Sequence, residues 1–569
     1  MLKKGARRSY DMFCQDPRHV IIWSSFLVLV LIGSSSAAAQ TAESDSSKGI
    51  PIDNATVKQA CSSCHVADEK GRLSRISFRR TTPEGWQQTI RRMVTLNGVD
   101  LDPETAREVV RYLSNTLGLA PEEAYPAAYE VERRADDQPY KDAGIQETCT
   151  QCHSMGRVLN QRRTSKEWAL LMAMHRGYYP FTDFQAFRRS GPATDEPQPV
   201  DQAIKHLSEH FPFQTSEWAA WSATMRPARV AGTWLIRGQA LGLGPVYGSF
   251  TITPVPDTED EFTTATTYTY ARNGRRVTRT GQAIIYTGFQ WRGRSSEDNG
   301  NTHREVMFVD RDLRTMRGRW FTGSYDEEGI DITLERADSQ PVIAGVHPLA
   351  LSTGTTETLR LYGLNLTGES PSNSIDLGPG IEIMEVLGNN DESFDIRVHV
   401  DAEASHGYRD LFFDRSNISN AIAVYDEVDR ITVMPSTGMA RVGGIRFPKQ
   451  YQQFEARAYN DGPDGESNTA DDLDLGIIDA NWSIEEYAVT IGDDDTQYVG
   501  SIDGSGLFTP SLDGPNVERS GERNNIGDVW VTATYPAQTM SRSQLRARGH
   551  LVVTVPLYLR WDPTAVEQP

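Results

Sequence analysis

The stretch that decides the fold is Cys61-Ser62-Ser63-Cys64-His65, which returns along the chain as Cys149-Thr150-Gln151-Cys152-His153. Two cysteines separated by two residues and followed at once by histidine form the attachment signature of c-type haem. Each thiol adds to a vinyl group of the porphyrin, and the histidine then lies beneath the iron as its proximal ligand. The two copies predict two covalently bound haem c groups, with His65 and His153 as the proximal ligands.

A zinc site is the alternative for cysteines with this spacing. A zinc half-site needs further cysteines or histidines to complete its four-coordinate sphere. Beyond the four cysteines of the two motifs the sequence has only Cys14, so there is no further cysteine pair to complete such a sphere. The same count predicts that the mature chain has no disulfide, even in an oxidising compartment.

Residues 1–39 have the pattern of an export signal. A basic start that includes Arg7 and Arg8 is followed by the uncharged run 20–32 and by small residues up to Ala39. The uncharged run is shorter than the about 20 residues that span a bilayer. We therefore expect cleavage near Ala39 and a periplasmic mature chain without a membrane span; an uncleaved anchor is the alternative.

The composition limits the class of protein. The chain has 57 basic and 77 acidic side chains, a formal charge of −20, and proteins that bind nucleic acid need a basic surface instead. Apolar residues make up 38% and charged residues 24%, as in globular domains rather than membrane bundles. A chain of 569 residues is long for one hydrophobic core, so we expect several domains.

Residues 40–228 are predicted to be a helical domain that contains a tandem repeat, with one haem motif in each copy. Each copy has a Thr-x-x-Glu pattern, Thr81 with Glu84 and Thr164 with Glu167. Such a pattern predicts a capping box at the start of a helix. A further helical stretch closes each copy, at 104–113 and at 201–207.

The two capped helices carry the candidate distal ligands. Met93 follows Trp86 by seven residues and His175 follows Trp168 by seven, which is about two helical turns and the same helix face. We expect this face to cover the distal side of each haem, with Met93 on the first iron and His175 on the second. The competing candidates for the second iron are Met155, Met174, His206 and His210. An open, substrate-binding iron is the remaining alternative.

Arginines are frequent in both copies. A guanidinium group pairs bidentately with carboxylates such as the haem propionates. Arg72 and Arg157 hold equivalent places after the two motifs and are the predicted propionate partners. We expect the others to lie mainly on the solvated surface: Arg75, Arg79, Arg80, Arg162 and Arg163.

In residues 229–338 the sequence pattern changes from helical to short β-strand runs. Asn273-Gly274 between two such runs is a strong hairpin signal, and about eight strands in this length predict an up-and-down barrel or a compact sandwich. The opening Gly232-Thr233-Trp234 also occurs in lipocalin barrels and is a weak indication of a ligand pocket.

Two further β domains are predicted at 339–430 and 431–569. Their runs and turns are typical of immunoglobulin-like sandwiches, without a disulfide to support the assignment. The acidic loop 461–474 has the oxygen ligands of a calcium site, but an ordinary solvated turn is the favoured interpretation. The fold class is therefore multidomain: a helical dihaem cytochrome c domain followed by three β domains, a barrel and two sandwiches.

Taken together, the sequence resembles the α subunit of quinohaemoprotein amine dehydrogenase, a periplasmic bacterial enzyme. The resemblance rests on the two haem motifs, on the unlike distal residues Met93 and His175, and on the β domains that follow. It implies that this chain is the electron-transfer subunit of a heterotrimer. It also implies that the amine is oxidised at a cysteine tryptophylquinone on a small partner subunit, supported by a β-propeller subunit. No catalytic acid or base is then expected on this chain.

The resemblance further implies that the electrons leave to a soluble acceptor, such as a small cytochrome or a copper protein. The competing class is a free-standing dihaem protein, a peroxidase or an electron shuttle with β interaction modules. A peroxidase leaves one iron open, whereas the repeat supplies a distal candidate in each copy.

Overall fold

The computed structural model of the protein describes residues 49–129, 140–192, 194–366, 374–414, 416–488, 493–536 and 544–556. The predicted export signal at 1–39 lies outside the described residues. Within the described ranges, no helix is both long enough and apolar enough to cross a membrane.

The chain begins with a helical region. Its described helices are α1 (Ala55–Cys61), α2 (Pro83–Asn97), α3 (Pro103–Thr116), α4 (Pro121–Ala124), α5 (Ala143–Cys149), α6 (Gly156–Leu159), α7 (Ser165–Tyr178), α8 (Pro199–His210) and α9 (Ser216–Thr224). A 3₁₀ turn at Tyr125–Ala127 and a π turn at Asp183–Phe187 complete this set. The predicted closing helices of the two copies are present as α3 and α8.

The two copies meet at a short antiparallel ribbon. Strand β1 (Arg79–Thr81) pairs with β2 (Gln161–Arg163), with Arg79 opposite Arg163. Each strand leads into the long helix of its own copy, and each copy buries a tryptophan in its own core, Trp86 in one and Trp168 in the other. The ribbon therefore fixes the start of α2 next to the start of α7.

The predicted capping box at Thr81 is wrong by one residue. Thr81 belongs to β1, and its hydroxyl donates a hydrogen bond to the Asn160 carbonyl at 2.6 Å. Thr82 is the N-cap of α2 instead, and its hydroxyl accepts a hydrogen bond from the Gly85 amide. The strand pairing recruits Thr81, so the next threonine caps the helix.

In the second copy the N-cap is Thr164, as predicted, and its hydroxyl accepts from the Glu167 amide at 3.2 Å. The carboxylate of Glu167 does not return to the helix start but pairs with Arg75 at 2.7 Å. Glu84, its predicted counterpart, pairs with Arg292 of the barrel. Both glutamates therefore serve tertiary contacts rather than capping.

The prediction that most of the arginines lie on the surface is wrong for four of the five. Arg79, Arg80, Arg162 and Arg163 are buried. The guanidinium groups can be buried because carboxylates, carbonyls and amide oxygens accept their hydrogen bonds. A sequence window shows only the charge, not these partners from distant segments.

Glu123 is the carboxylate that binds two of these arginines. Its oxygens accept hydrogen bonds from Arg80 at 2.7 and 2.9 Å, and Arg162 lies 3.2 Å away. Thr215, the N-cap of α9, donates to the same carboxylate at 2.9 Å. Burial alone raises the pKa of Glu123, but the hydrogen bonds from Arg80 and the charges of Arg80 and Arg162 outweigh it and lower the pKa. This network joins β1 to β2.

The predicted barrel is present as eight antiparallel strands in one closed ring. The strands are β3 (Gly232–Ala240), β4 (Gly244–Pro254), β5 (Glu261–Tyr270), β6 (Arg276–Tyr286), β7 (Gln290–Glu297), β8 (Thr302–Val309), β9 (Thr315–Thr322) and β10 (Glu328–Arg336), with β10 closing on β3. Large aromatic side chains fill the interior, among them Trp234, Trp291 and Trp320. The guanidinium of Arg336 lies 4.8 Å from the ring centre of Trp234.

Two β regions follow the barrel. The first contains β11 (Val342–His347), β12 (Ala350–Ser352), β13 (Thr356–Leu364), β14 (Ile375–Asp376), β15 (Ile381–Asn389), β16 (Ser393–Val400), β17 (Gly407–Phe413) and β18 (Ser416–Tyr425), arranged in two four-stranded sheets. These sheets enclose one core. The immunoglobulin-like assignment of both regions stays a prediction.

The last region has two three-stranded sheets and one four-stranded sheet. Its elements are β19 (Arg430–Met434), β20 (Thr437–Arg441), β21 (Gln452–Gln453), β22 (Glu455–Asn460), β23 (Leu473–Ile478), β24 (Asn481–Glu486), helix α10 (Asp495–Tyr498), β25 (Gly500–Ile502), β26 (Leu507–Pro510), β27 (Gly527–Tyr535) and β28 (Leu545–Thr554). In the acidic loop, Arg430 pairs with Asp461 and Asp472. The interpretation of this loop as an ordinary solvated turn stays a prediction.

Candidate haem sites

The second haem motif opens onto a cleft, which we call the second cleft. Cys149, Cys152 and His153 line it together with residues of α7. The empty space of the cleft, including the part open to solvent, is about 1350 Å³. Its apolar lining comes from Val158, Trp168, Leu171, Met172, Met174, Phe187, Ala203 and Leu207.

Two imidazole rings, tilted by 50° to each other, line the second cleft. The ring centres of His153 and His175 are 6.4 Å apart. A metal–imidazole bond is about 2.0–2.1 Å long, so a metal between two such rings leaves their centres about 6 Å apart. The observed separation therefore fits one iron held by both histidines.

The hydrogen bonds of these histidines orient the rings for a metal. Nδ1 of His153 lies 2.9 Å from the Ser154 carbonyl, and Nδ1 of His175 lies 2.8 Å from the Leu171 carbonyl. Because a carbonyl can only accept, Nδ1 carries the proton and Nε2 presents its lone pair. Backbone carbonyls orient metal-binding histidines in this way.

The electrostatics of the second cleft favour the neutral forms of Cys149, Cys152 and His175. Burial raises the pKa of the Cys149 thiol to about 12 and also raises that of Cys152. Burial lowers the pKa of His175, and the nearby arginines lower it further. A neutral imidazole is the form that binds a metal.

Four arginines also line the second cleft: Arg79, Arg92, Arg157 and Arg163. Arg157 was predicted there, and it donates to the Gln88 side chain at 2.5 Å. The other three were missed. The signal that could have found two of them is the Arg-Arg pair at residues 79–80 and 162–163, immediately before each capped helix.

The first haem motif lies at the end of α1, in a more open setting. Cys64 is exposed, and Val66, next to His65, is 71% exposed. Nδ1 of His65 lies 2.8 Å from the Ser74 carbonyl, so this ring too presents the lone pair of Nε2. All three histidines proposed as iron ligands therefore share one hydrogen-bonding pattern.

Met93 lies in the second half of α2. Trp86 and Ile90 pack in the same core as Cys61, and Met93 is one helical turn beyond Ile90. Met93 is half-buried. The structure thus places Met93 next to the packed face, but the ligand role stays a prediction.

Arg72, the predicted propionate partner of the first haem, is bound within its own loop. Its guanidinium pairs with Asp68 at 2.7 Å. The Arg72 backbone amide contributes most to holding the pKa of Asp68 down; desolvation opposes it, and the Arg72 guanidinium and the Lys70 amide lower the pKa further. Arg72 and Arg157 therefore have unlike surroundings, although they hold equivalent positions in the repeat.

The four competing candidates for the second iron differ in whether they line the second cleft. Met174 lines the second cleft, beside His175 in sequence. Met155 is fully buried in the core of the second copy. His206 stacks on His210 at 4.1 Å, and its Nε2 bonds the Tyr140 hydroxyl at 2.8 Å. Of these four, only Met174 is among the residues that line the cleft.

A helical region with two Cys-x-x-Cys-His sites, followed by a closed barrel and further β domains, defines a multidomain haem-binding chain. Four family models match it in order: "Quinohemoprotein amine dehydrogenase A, alpha subunit, haem binding" at 52–218, and domains II, III and IV of the same alpha subunit at 227–337, 340–426 and 431–566. The chain belongs to the family of quinohaemoprotein amine dehydrogenase α subunits.

Solved structures resemble parts of the chain only weakly. The redesigned β barrel mFAP1, in a structure with DFHBI bound, is 18% identical to this chain over the matched part. The match covers 20% of this chain and 99% of the barrel's chain, with a TM-score of 0.18. The Bacteroides ovatus mixed-linkage glucan protein SGBP-B shares 14%, covers 43% of this chain and 56% of its own, with a TM-score of 0.18. No curated protein matches the chain.

Proposed function

We propose that this chain passes electrons through two covalently attached haem c groups. The electrons come from a quinone cofactor on a partner subunit of a periplasmic amine dehydrogenase and leave to a soluble acceptor. The observation that carries the proposal is the pair His153 and His175, whose ring centres lie 6.4 Å apart in a cleft that Cys149 and Cys152 also line.

The two sites divide their residues in the same way. One haem is attached at Cys61 and Cys64, and the other at Cys149 and Cys152. When bound, the two haems supply one-electron iron chemistry. His65 and His153 are the proximal ligands. The distal ligands are Met93 in the first copy and His175 in the second.

The unlike distal ligands set unequal reduction potentials. The thioether of Met93 is a soft ligand that favours ferrous iron, whereas the imidazole of His175 favours ferric iron. The first site is therefore the higher-potential centre. A potentiometric titration should resolve two unequal haems, and Met93→Ala should remove the near-infrared sulfur–iron band of the oxidised protein.

The partner subunits supply the substrate chemistry. Oxidation of an amine releases two electrons at the partner's cysteine tryptophylquinone, and two one-electron centres on this chain take them in turn. The β domains form the surface on which a propeller subunit and the small quinone subunit assemble. Cleavage of the signal near Ala39 places the mature chain in the periplasm, where a small cytochrome or copper protein accepts the electrons.

The experiment separates conduction from catalysis. The isolated chain with both haems attached should be reduced by dithionite but not by a primary amine, and adding the quinone-bearing subunit should make haem reduction amine-dependent. A Cys149→Ala/Cys152→Ala variant, which lacks the second haem, is the matched control for the route. Amine-driven reduction of this chain alone would contradict the proposal.

A further inference from the structure

Helix α2 belongs to the first copy, but it forms part of the wall of the second cleft. Trp86 and Ile90 on one face pack in the core of the first copy. Gly85, Gln88, Thr89 and Arg92 line the second cleft. The spacing 85, 88, 89 and 92 is that of one helix face, so a single helix packs in the core of the first copy and also lines the second cleft.

The charge of the second cleft is one-sided. Arg79, Arg92, Arg157 and Arg163 line it, and none of its described lining residues is acidic. The nearest carboxylate to Arg163 is that of Glu167, at 3.9 Å, and it pairs more closely with Arg75. Buried cations are costly unless an anion compensates them, so this lining suits an anionic ligand.

The four arginines differ in how far the protein satisfies them. Arg79 donates to the Thr89 hydroxyl and to the Gly85 carbonyl, which ties it to the start of α2. Arg163 donates twice to the side chain of Gln161. Among the described residues, the buried Nε atoms of Arg79, Arg92 and Arg157 all lack a hydrogen-bond partner. Arg79 and Arg157 still donate through their terminal nitrogens, Arg157 to the Gln88 side chain, and in the described part of the chain no such bond is seen for Arg92. Arg92 is therefore the arginine whose donors the protein itself satisfies least.

We propose that Arg92 of the first copy, together with Arg157 and Arg163 of the second, binds the two carboxylates of the haem attached at Cys149 and Cys152. This inference rests on the proposed function. Guanidinium groups recognise carboxylates with paired, charge-assisted hydrogen bonds. Arg79 positions the helix start rather than binding the ligand. The second haem is thus anchored by both copies, through the residue that directly precedes Met93.

Arg92, a residue outside the second copy, should then affect the reduction potential of the second haem. A positive charge near a haem favours the reduced iron. At an effective dielectric constant near 20, a unit charge about 10 Å away changes the ratio of reduced to oxidised iron roughly tenfold. Removing the charge of Arg92 should therefore lower the potential of the second haem and leave the first nearly unchanged.

The test compares Arg92→Met, Arg92→Lys and Arg91→Met in the full chain with both haems attached. Spectroelectrochemical titration follows each haem, because only the Met93 haem has the near-infrared sulfur–iron band. Arg92→Met should lower the ratio of reduced to oxidised second haem about tenfold at a fixed potential, and Arg92→Lys should restore most of it. Arg91, on the same helix but outside the cleft lining, should have no comparable effect.

Three outcomes are informative. A selective shift of the second haem in Arg92→Met supports the inference, and Arg157→Met should move it in the same direction. No shift in Arg92→Met, or an equal shift in Arg91→Met, overturns it. The haem content distinguishes failure of this inference from failure of the proposed function. Two low-spin haems without an effect of Arg92→Met would disprove only the inference. A chain that attaches no second haem would disprove the proposed function.

Discussion

The two copies of the repeat share a sequence pattern but build unlike surroundings for their haem motifs. In the first copy Cys64 is exposed, and Arg72 is paired with Asp68. In the second, Cys149 borders a cleft that four arginines line, and Arg157 contacts Gln88 of the other copy. The repeat thus determines the positions of the predicted iron ligands along each copy. Contacts between the copies determine which charged side chains surround those positions.

The difference arises because α2 packs in the core of the first copy and also lines the second cleft. Strands β1 and β2 pair with Arg79 opposite Arg163, which places α2 against the second cleft. No helix of the second copy is among the elements that pack around Cys61 in the core of the first, within the described residues. The core around Cys61 takes Phe213, from the segment between α8 and α9, whereas the second cleft takes four residues of α2.

The largest effect should come from removing the distal imidazole of the second site. His175→Ala should leave covalent haem attached, because attachment uses Cys149 and Cys152, but should convert the second iron from low-spin to high-spin. Electron paramagnetic resonance and carbon monoxide binding measure the change. His206→Ala is the matched control and should leave the spin state intact, since His206 bonds Tyr140. A low-spin second iron in His175→Ala would point to Met174.

The next largest effect should come from the junction of the two copies. Glu123→Gln leaves the buried guanidinium groups of Arg80 and Arg162 without their carboxylate. Breaking a buried ion pair by removing one partner costs about 3–5 kcal/mol. Denaturant unfolding of the holoprotein at neutral pH should show this loss.

The pH dependence of the same variant provides its control. The folded pKa of Glu123 is lowered from its ordinary value of 4.5, so the ion pair stabilises the fold above that pH and its contribution is lost as the pH falls through the folded pKa. The difference in unfolding free energy between wild type and Glu123→Gln should therefore narrow below about pH 4.5. A constant difference would mean that the cost is one of packing alone.

A smaller effect should come from the contact between α2 and the barrel. Glu84 and Arg292 are paired, with each side chain 13% exposed. Burial raises the pKa of Glu84, but the charge and hydrogen bonds of Arg292 outweigh it and lower the pKa. Arg292→Met should destabilise the protein by about 1.5–3 kcal/mol, the range for hydrogen bonds to charged groups.

Arg311→Met is the control for Arg292→Met, because Arg311 pairs with Glu122 in a setting where its side chain is 64% exposed. Exposed pairs contribute about 0–1 kcal/mol. Equal losses in the two variants would show that burial does not distinguish these contacts.

The sequence predicted the features that depend on local order. The haem-binding region, the Thr164 cap and the eight-stranded barrel follow from motif spacing, capping residues and hairpin signals, and all are present. The Glu123 network and the role of Arg92 in the second cleft were not predicted. Both depend on β1 and β2 pairing across about 80 residues of chain, which no local pattern specifies. The shift from Thr81 to Thr82 has the same cause.

The smallest effect compares the two helix caps. Thr82→Ala and Thr164→Ala each remove one hydroxyl that accepts a backbone hydrogen bond at a helix start, so each should cost about 1 kcal/mol of unfolding free energy. Thr95→Ala on the exposed end of α2 should stay within about 0.5 kcal/mol. Because α2 lines the second cleft and carries Met93, the proposed distal ligand of the first iron, Thr82→Ala should also perturb the spectra of both haems, whereas Thr164→Ala should perturb only the second. Equal spectral effects of the two caps would contradict the shared helix as the origin of the asymmetry.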